Sequence, residues 1–342
     1  MDLQFIEAIK KGDVAALREL LSDADPSVFN QTIGQSDHSR HSFGAGTTLL
    51  QFASFRTWKE TSSEVNDLLI QSGANIDIHS ASGLGRVDIL ESLLQEHLGE
   101  HSAAELLSRE VDTFVPMQYA ISADKPQSVA VLLKHGDDPN RSCKKVAWFL
   151  WEDESLAKGE PLNWNPIHMA AIRGRREISG LLADAGADLN AVCSLDGCQA
   201  IHLAAMYNKF EIIKFLADRG VEVDCRTKLP NKDHAPDADM DGPTIGNDWT
   251  PLMVTVGEGF IETAQWLVEK GSDVNATNTL GRTALHIAAG GFWAEREPIY
   301  LELVQSLLAA GADPNRKDEQ GILPIDYANR KKYDSVVNVL AG

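Results

Sequence analysis

The residues with the most specific chemical spacing form an acidic run late in the chain. Asp237, Asp239 and Asp241 alternate with other residues, a glycine follows, and Asp248 stands eleven residues after the first aspartate. Carboxylates at this spacing converge on one cation when a glycine turns the chain, which is the pattern of a calcium loop. The twelfth position usually carries glutamate, and here it is aspartate. Calcium (Ca2+) binding and a solvated acidic loop are both open.

Other residues could take part in proton transfer. His38 and His41 share one polar loop with an arginine, an aspartate and several hydroxyl groups, and histidine titrates near neutral pH. Further candidates for general acid/base chemistry are Glu152, Asp153 and Asp233. Spacing alone does not bring these groups together. Phosphate-loop, dinucleotide-binding, nucleophile-elbow and metalloprotease motifs do not occur in the chain, so we assign no catalytic residue.

Two short phrases recur along the chain and indicate the elements that position these groups. One phrase ends in Gly-Ala-Asp-x-Asn or a close variant. Its copies lie at 73–77, 136–140, 186–190, 220–224, 271–275 and 311–315. A second phrase, Thr-Pro-Leu-His-x-Ala-Ala or a variant, precedes most of them. Its copies lie at 165–171, 200–205, 250–253 and 283–289, with weaker versions at 48–53, 115–120 and 323–328, and two found by register at 5–8 and 78–81.

The second phrase is the signature of ankyrin repeats, and the sequence resembles that family over nearly its whole length. Gly186 and Gly220 are one repeat of about 33 residues apart. The resemblance implies an all-α fold, an ankyrin-repeat α-solenoid of about nine helix pairs with long finger-loop insertions. One pair cannot bury its apolar face alone, so neighbours must stack. We therefore expect residues 1–342 to form a single solenoid domain.

Within each unit, particular positions have structural explanations. The residue six after the histidine position should adopt a left-handed conformation, and six of nine units carry a residue type that tolerates it. These residues are Gly12, Gly85, Asp124, Gly174, Asn208 and Gly259. The resemblance implies that the repeat histidines connect neighbouring units through hydrogen bonds and do not catalyse. They are His79, His168, His202 and His286.

Five insertions interrupt the repeats, near 31–46, 95–114, 141–164, 226–249 and 291–298. Additions to a repeat unit map to loops, which are often on the binding face. The segments 31–46, 141–164 and 226–249 occupy the position of finger loops and could cover the concave groove. The segment 95–114 should contain an extra helix, and 291–298 should emerge at the far edge.

Tryptophans concentrate in these insertions or at their junctions, where regular packing does not require them. They could pack on the scaffold or form an aromatic wall that faces a ligand. The tails of the first helices should point into the concave face. The predicted binding residues are Trp148, Trp151, Trp164, Trp249, Arg56, Arg173, Tyr207 and Glu258.

Composition excludes several classes of partner. The chain has 31 basic and 50 acidic residues, a net charge of −19 and a pI near 4.9. Phosphate groups would be repelled, so we expect neither nucleic-acid nor membrane binding. The acidic N-terminus lacks the pattern of a signal peptide, and no apolar run is long enough to span a bilayer. Four sparse cysteines suit reduced thiols in the cytoplasm, the expected location.

Two functions remain open. Most proteins with this resemblance are adaptors, so we expect a non-catalytic protein that holds a protein or peptide partner in its concave groove and against its fingers. The alternative is a small-molecule-binding protein or enzyme whose site is built by the insertions over the groove. Fold alone does not choose between them.

Overall fold

The computed structural model describes residues 3–32, 48–55, 62–97, 103–108, 115–142, 164–193, 197–228 and 248–342. Regular structure within these ranges is helical, with nineteen α-helices and two short 3-10 helices, Pro26–Asn30 and Ala294–Arg296. The chain divides into two compact units, Met1–Asp188 and Leu189–Gly342. The all-α prediction is confirmed. That one continuous solenoid spans both units stays a prediction.

The first unit contains five helix pairs and one extra helix. The helices are α1 (Leu3–Lys11), α2 (Val14–Ser22), α3 (Leu49–Phe55), α4 (Ser62–Gln71), α5 (Ile78–Leu84), α6 (Val87–His97), α7 (Ala103–Ser108), α8 (Pro116–Ser122), α9 (Pro126–Lys134), α10 (Pro166–Arg173) and α11 (Arg176–Asp184). The helices α1, α3, α5, α8 and α10 contact one another in chain order. Their core contains fully buried leucines and one buried tyrosine, Tyr119. The extra helix α7 lies where the sequence predicts it.

The second unit contains four helix pairs. They are formed by α12 (Ala200–Met206), α13 (Phe210–Asp218), α14 (Pro251–Glu258), α15 (Ile261–Glu269), α16 (Ala284–Gly290), α17 (Glu297–Ala309), α18 (Pro324–Lys331) and α19 (Asp334–Ala341). The first helices α12, α14, α16 and α18 again pack in series. Small residues on them, such as Ala204, Ala288 and Ala289, are fully buried and allow the close approach.

The turn inside six of the nine helix pairs has the predicted left-handed residue. The six predicted positions have φ values between 49° and 82°. Gly174 shows the reason, because its N–H closes α10 on carbonyls of the last turn while its backbone is left-handed. Lys332 adopts the same conformation at φ 61°, although a side chain makes it unfavourable there.

The repeat histidines are structural, as expected. His202 Nδ1 accepts the N–H of Gln199 at 3.2 Å, and Nε2 lies 3.1 Å from the carbonyl oxygens of Cys225 and Trp249. His286 Nε2 reaches the carbonyl of Ile322 at 3.3 Å. These bonds tie the starts of α12 and α16 to the finger that precedes the next first helix.

His79 stands six residues before the left-handed Gly85, as predicted, but Ser80 takes the capping role. The helix α5 starts with Asp77 as its N-cap, and the Asp77 carboxylate accepts the N–H of Ser80 at 2.9 Å. Ser80 Oγ in turn accepts the Asp77 N–H at 2.9 Å, which is the role of histidine in other units. His79 instead packs edge-on against the Tyr119 ring.

No helix within the described ranges is both long enough and apolar enough to cross a bilayer.

Candidate functional site

Many predicted site residues lie outside the described ranges. They are His38, His41, Arg56, Trp148, Trp151, Glu152, Asp153, Asp233, Asp237, Asp239 and Asp241. The acid/base candidates, three of the calcium ligands and the small-molecule alternative therefore stay sequence predictions. Six predicted residues are described. Trp164 and Arg173 lie in the first unit, and Tyr207, Asp248, Trp249 and Glu258 lie in the second.

The two described junction tryptophans are buried. Trp164 is 3% exposed, and its ring lies against His168. Trp249 is 6% exposed and stacks on Phe292, with ring centres 6.0 Å apart. Neither ring forms an open wall. For these two residues, burial favours the packing interpretation over the ligand-facing one.

Arg173 closes α10 in the first unit, at the tail of a first helix as predicted. Burial and, to a smaller extent, the positive charge of Arg175 lower the pKa of Arg173 to about 10. Arg175 itself is held by Asp124, with Nη1 2.9 Å from Oδ2. The guanidinium of Arg173 remains charged at neutral pH and only partly hydrated, which suits it to contact an anionic group.

Tyr207 and Glu258 occupy equivalent positions in the second unit. Tyr207 caps the end of α12, and Glu258 is the last residue of α14. The two helices pack side by side, so both residues lie on the same row of helix ends. Both are partly exposed. Two of the predicted binding residues therefore lie on one surface.

The insertion 291–298 is fixed to this row by a tyrosine that sequence reasoning did not identify. The hydroxyl of Tyr300 donates to the Gly257 carbonyl at 2.9 Å and accepts the N–H groups of Phe292 at 3.0 Å and Trp293 at 3.3 Å. The Tyr333 hydroxyl donates to the Trp293 carbonyl at 3.2 Å. The only feature of the sequence that points to this anchoring is the density of aromatic residues around the insertion.

This anchoring brings an indole and a guanidinium beside Glu258. Arg296 lies over the Trp293 ring at 5.3 Å, and its Nη1 donates to the Glu258 carbonyl at 3.3 Å. Burial raises the pKa of the Glu258 carboxyl, and Arg296 and Trp293 oppose that shift without cancelling it. We call Tyr207, Glu258, Trp293 and Arg296 the Glu258 surface. It offers a carboxylate acceptor, a cation and two aromatic rings.

Asp248, the described residue of the predicted calcium loop, holds the base of the insertion through its backbone. Asp248 has a left-handed backbone at φ 59°, and its N–H donates to the Thr227 carbonyl at 3.1 Å. Trp249 and Thr227 are paired by further bonds, so this position closes the neck of the insertion. In the part of the chain that the structure describes, no group of three or more His, Cys, Asp or Glu side chains could hold a metal ion.

Comparisons with known proteins agree with this architecture. The sequence model described as ankyrin repeats (3 copies) matches residues 142–227 and 229–318, together just over half of the chain. The 2-5A-dependent ribonuclease of Mus musculus is 35% identical over 86 residues, which cover 25% of this chain. The chain spans only 11% of the length of that ribonuclease.

A solved structure shares the fold. The crystal structure of the ankyrin repeat domain of Bcl-3, described as a unique member of the IkappaB protein family, superimposes with a TM-score of 0.55. The match has 22% identity and covers 78% of this chain and 99% of that domain. With the repeated helix pairs, left-handed turns and histidine bonds described above, these matches lead to one conclusion. The chain belongs to the ankyrin-repeat family.

Proposed function

We propose that the chain is a non-catalytic binding protein that holds a protein or peptide partner at the Glu258 surface. Ankyrin repeats are generally protein-interaction modules. The observation that carries the proposal is the rigid placement of Trp293 and Arg296 beside the half-buried carboxylate of Glu258. Side chains fixed before binding lose little entropy on association, and tryptophan, tyrosine and arginine dominate interface energetics.

The described surface favours polar recognition. Val192, at 39%, is the single large apolar side chain that counts as exposed in the described ranges. A partner must therefore be recognised by charges, hydrogen bonds and aromatic faces more than by a broad apolar patch. The net charge of −19 attracts basic partners and repels acidic ones at long range. We infer a basic or neutral segment as the ligand of the Glu258 surface.

A cytoplasmic location is part of this proposal. The three cysteines within the described ranges, Cys193, Cys198 and Cys225, are free thiols. Burial raises the pKa of Cys225 to about 12, so this thiol is unreactive. Unreactive reduced thiols suit a reducing compartment.

The proposal is tested by affinity capture with the full chain as bait and quantitative mass spectrometry of the recovered proteins. The informative variants are Glu258→Gln and Tyr207→Ala, which alter the surface without touching the core. Glu269→Gln, at the exposed end of α15, is the matched control. We expect a partner retained by the wild type and the control and reduced about tenfold by the surface variants, equal to a loss of about 1.4 kcal/mol. Equal recovery by all four baits would refute the Glu258 surface as the contact.

A further inference from the structure

One buried polar side chain in the first unit has no structural explanation. Asn66 on α4 is 3% exposed, and its Oδ1 accepts no hydrogen bond. It stands seven residues before the glycine of the Gly-Ala-Asp phrase. The other five units with that phrase have small or apolar buried residues at this position: Val129, Ser179, Ile213, Ala264 and Val304. Packing therefore does not require an amide here, and an unpaired buried acceptor is costly.

The unpaired amide lies in a groove. Asn66 lines a depression of about 320 Å³, bounded by α4 on one side and by the turns that precede α6 and α9 on the other. This volume is at the lower end of the range of ligand pockets, about 300 to 1,000 Å³. All of its lining residues belong to the first unit. It is separate from the Glu258 surface.

Two cations stand at this groove in a chain with an excess of acids. Arg86 is half exposed, and its Nε lies 3.6 Å from Asp88 Oδ1. The Lys125 side chain runs over Gly85, where a Cβ atom would come within 2.9 Å of Lys125 Cδ. No carboxylate in the described ranges forms an ion pair with the Lys125 ammonium. Both side chains can therefore reach an added anion without leaving a buried partner.

We propose that this groove binds an acidic peptide segment. A glutamate or aspartate side chain of the peptide lies between Arg86 and Lys125, while a peptide N–H donates to Asn66 Oδ1. A sulfate ion would satisfy the cations but has no donor for the amide oxygen. The exposed carboxylate of Asp67 also lines the groove and disfavours a doubly charged phosphate more than a single carboxylate.

The probe for the test is a fluorescein-labelled octapeptide with three central glutamates, titrated with the full chain and followed by anisotropy. The titration is done at about 0.15 M salt, which screens the long-range repulsion from the net charge of −19. We expect the peptide to bind about tenfold more tightly than its glutamine counterpart. Arg86→Ala and Lys125→Ala should each weaken binding about threefold to tenfold, as expected for charge-assisted bonds. Lys209→Ala is the matched control, because Lys209 follows a left-handed residue in the second unit as Lys125 does in the first. It should leave the affinity unchanged.

Asn66→Val separates ligand binding from structure. Valine fills this position in other units, so the melting temperature should equal or exceed that of the wild type, while peptide affinity falls about threefold or more. A lower melting temperature would reveal a structural role and overturn the proposal. So would unchanged affinity in Asn66→Val, an equal effect of Lys209→Ala, or equal binding of the glutamine peptide. A phosphoserine peptide that binds tenfold more tightly than the glutamate peptide would identify a phosphopeptide groove instead, against the proposal.

Discussion

The ring of Phe292 lies directly over Gly257, and a Cβ atom at Gly257 would come within 2.6 Å of Phe292 Cζ. Gly257 is buried in α14 and its carbonyl receives the Tyr300 hydroxyl, so this contact fixes the insertion to the helix row. Overpacking costs about 1–3 kcal/mol, and the helix preference of alanine returns up to about 1 kcal/mol. We expect Gly257→Ala to lower the free energy of unfolding by about 1–2 kcal/mol, measured by urea denaturation.

Two further variants check the cause of that loss. Gly180→Ala in α11 meets only the flexible end of Arg176 at 3.6 Å and should be neutral or stabilising. In a Phe292→Ala background, Gly257→Ala should cost less than in the wild type, because the clash is gone. An equal cost in both backgrounds would contradict the contact.

The buried carboxyl of Asp137 should make the stability of the fold depend on pH. It stands where other units have Ala74, Ala187 and Ala312, it is 4% exposed, and its Oδ2 accepts no hydrogen bond. Burial raises the pKa of Asp137 to about 6, despite Arg141 at 3.3 Å from Oδ1. The protonated form therefore stabilises the fold at low pH, and this contribution is lost as the pH rises from about 4 through 6.

Asp137→Ala should consequently stabilise the protein by about 2 kcal/mol at pH 7 and by little at pH 4. Chemical denaturation at both pH values measures the difference. A gain that is the same at pH 4 and pH 7 would show that Asp137 does not titrate in this range.

The buried, neutral ring of His202 should make the fold less stable in acid. Burial lowers the pKa of His202 to about 4, although the carbonyls of Cys225 and Trp249 oppose this shift. The Gln199 N–H donates to Nδ1, which therefore carries no proton in the folded state. Its contribution is complete above the unfolded pKa of about 6.5 and is lost as the pH falls toward 4. Gln118 already takes this position in another unit, where its Oε1 accepts the Val115 N–H at 3.0 Å.

His202→Gln should therefore cost about 1 kcal/mol at pH 7. Between pH 7 and pH 5 it should lose about 2 kcal/mol less stability than the wild type. Thermal denaturation at the two pH values, analysed side by side, provides the test. Parallel pH profiles for the two proteins would contradict a neutral buried imidazole.

The sequence predicts whatever the repeat encodes periodically. Glycine, asparagine and aspartate identified the left-handed turns because these residue types tolerate that conformation. The left-handed conformation of Lys332 was not predicted, because lysine does not favour that conformation. The spacing to Gly85 gave the register of His79 correctly, but Ser80 forms the cap, and the sequence does not show which of the two does.

The candidate site was only partly predictable, for a physical reason. Tyr207 and Glu258 follow from the repeat register, because α12 and α14 pack side by side and both residues lie at the ends of these helices. Arg296 and Tyr300 depend on how the insertion folds back, and that is determined by hydrogen bonds to Gly257 and by the Phe292 contact, with no periodic pattern. For Trp249 the sequence left packing and ligand contact open, and its burial against Phe292 favours packing.

The calcium loop remains a prediction from spacing. Titration of the full chain with calcium, followed by calorimetry, should release or absorb heat and raise the melting temperature at millimolar concentration. Asp239→Ala combined with Asp241→Ala should abolish both effects. No heat and no thermal stabilisation in the wild type would remove the hypothesis.

The central claim is that a partner contacts the Glu258 surface. Hydrogen exchange of the full chain, with and without the partner recovered by capture, tests it most directly. Binding should slow exchange at 206–210, 256–260 and 292–298, where Tyr207, Glu258, Trp293 and Arg296 lie. Protection confined to other segments, with unchanged exchange in these three, would contradict the account.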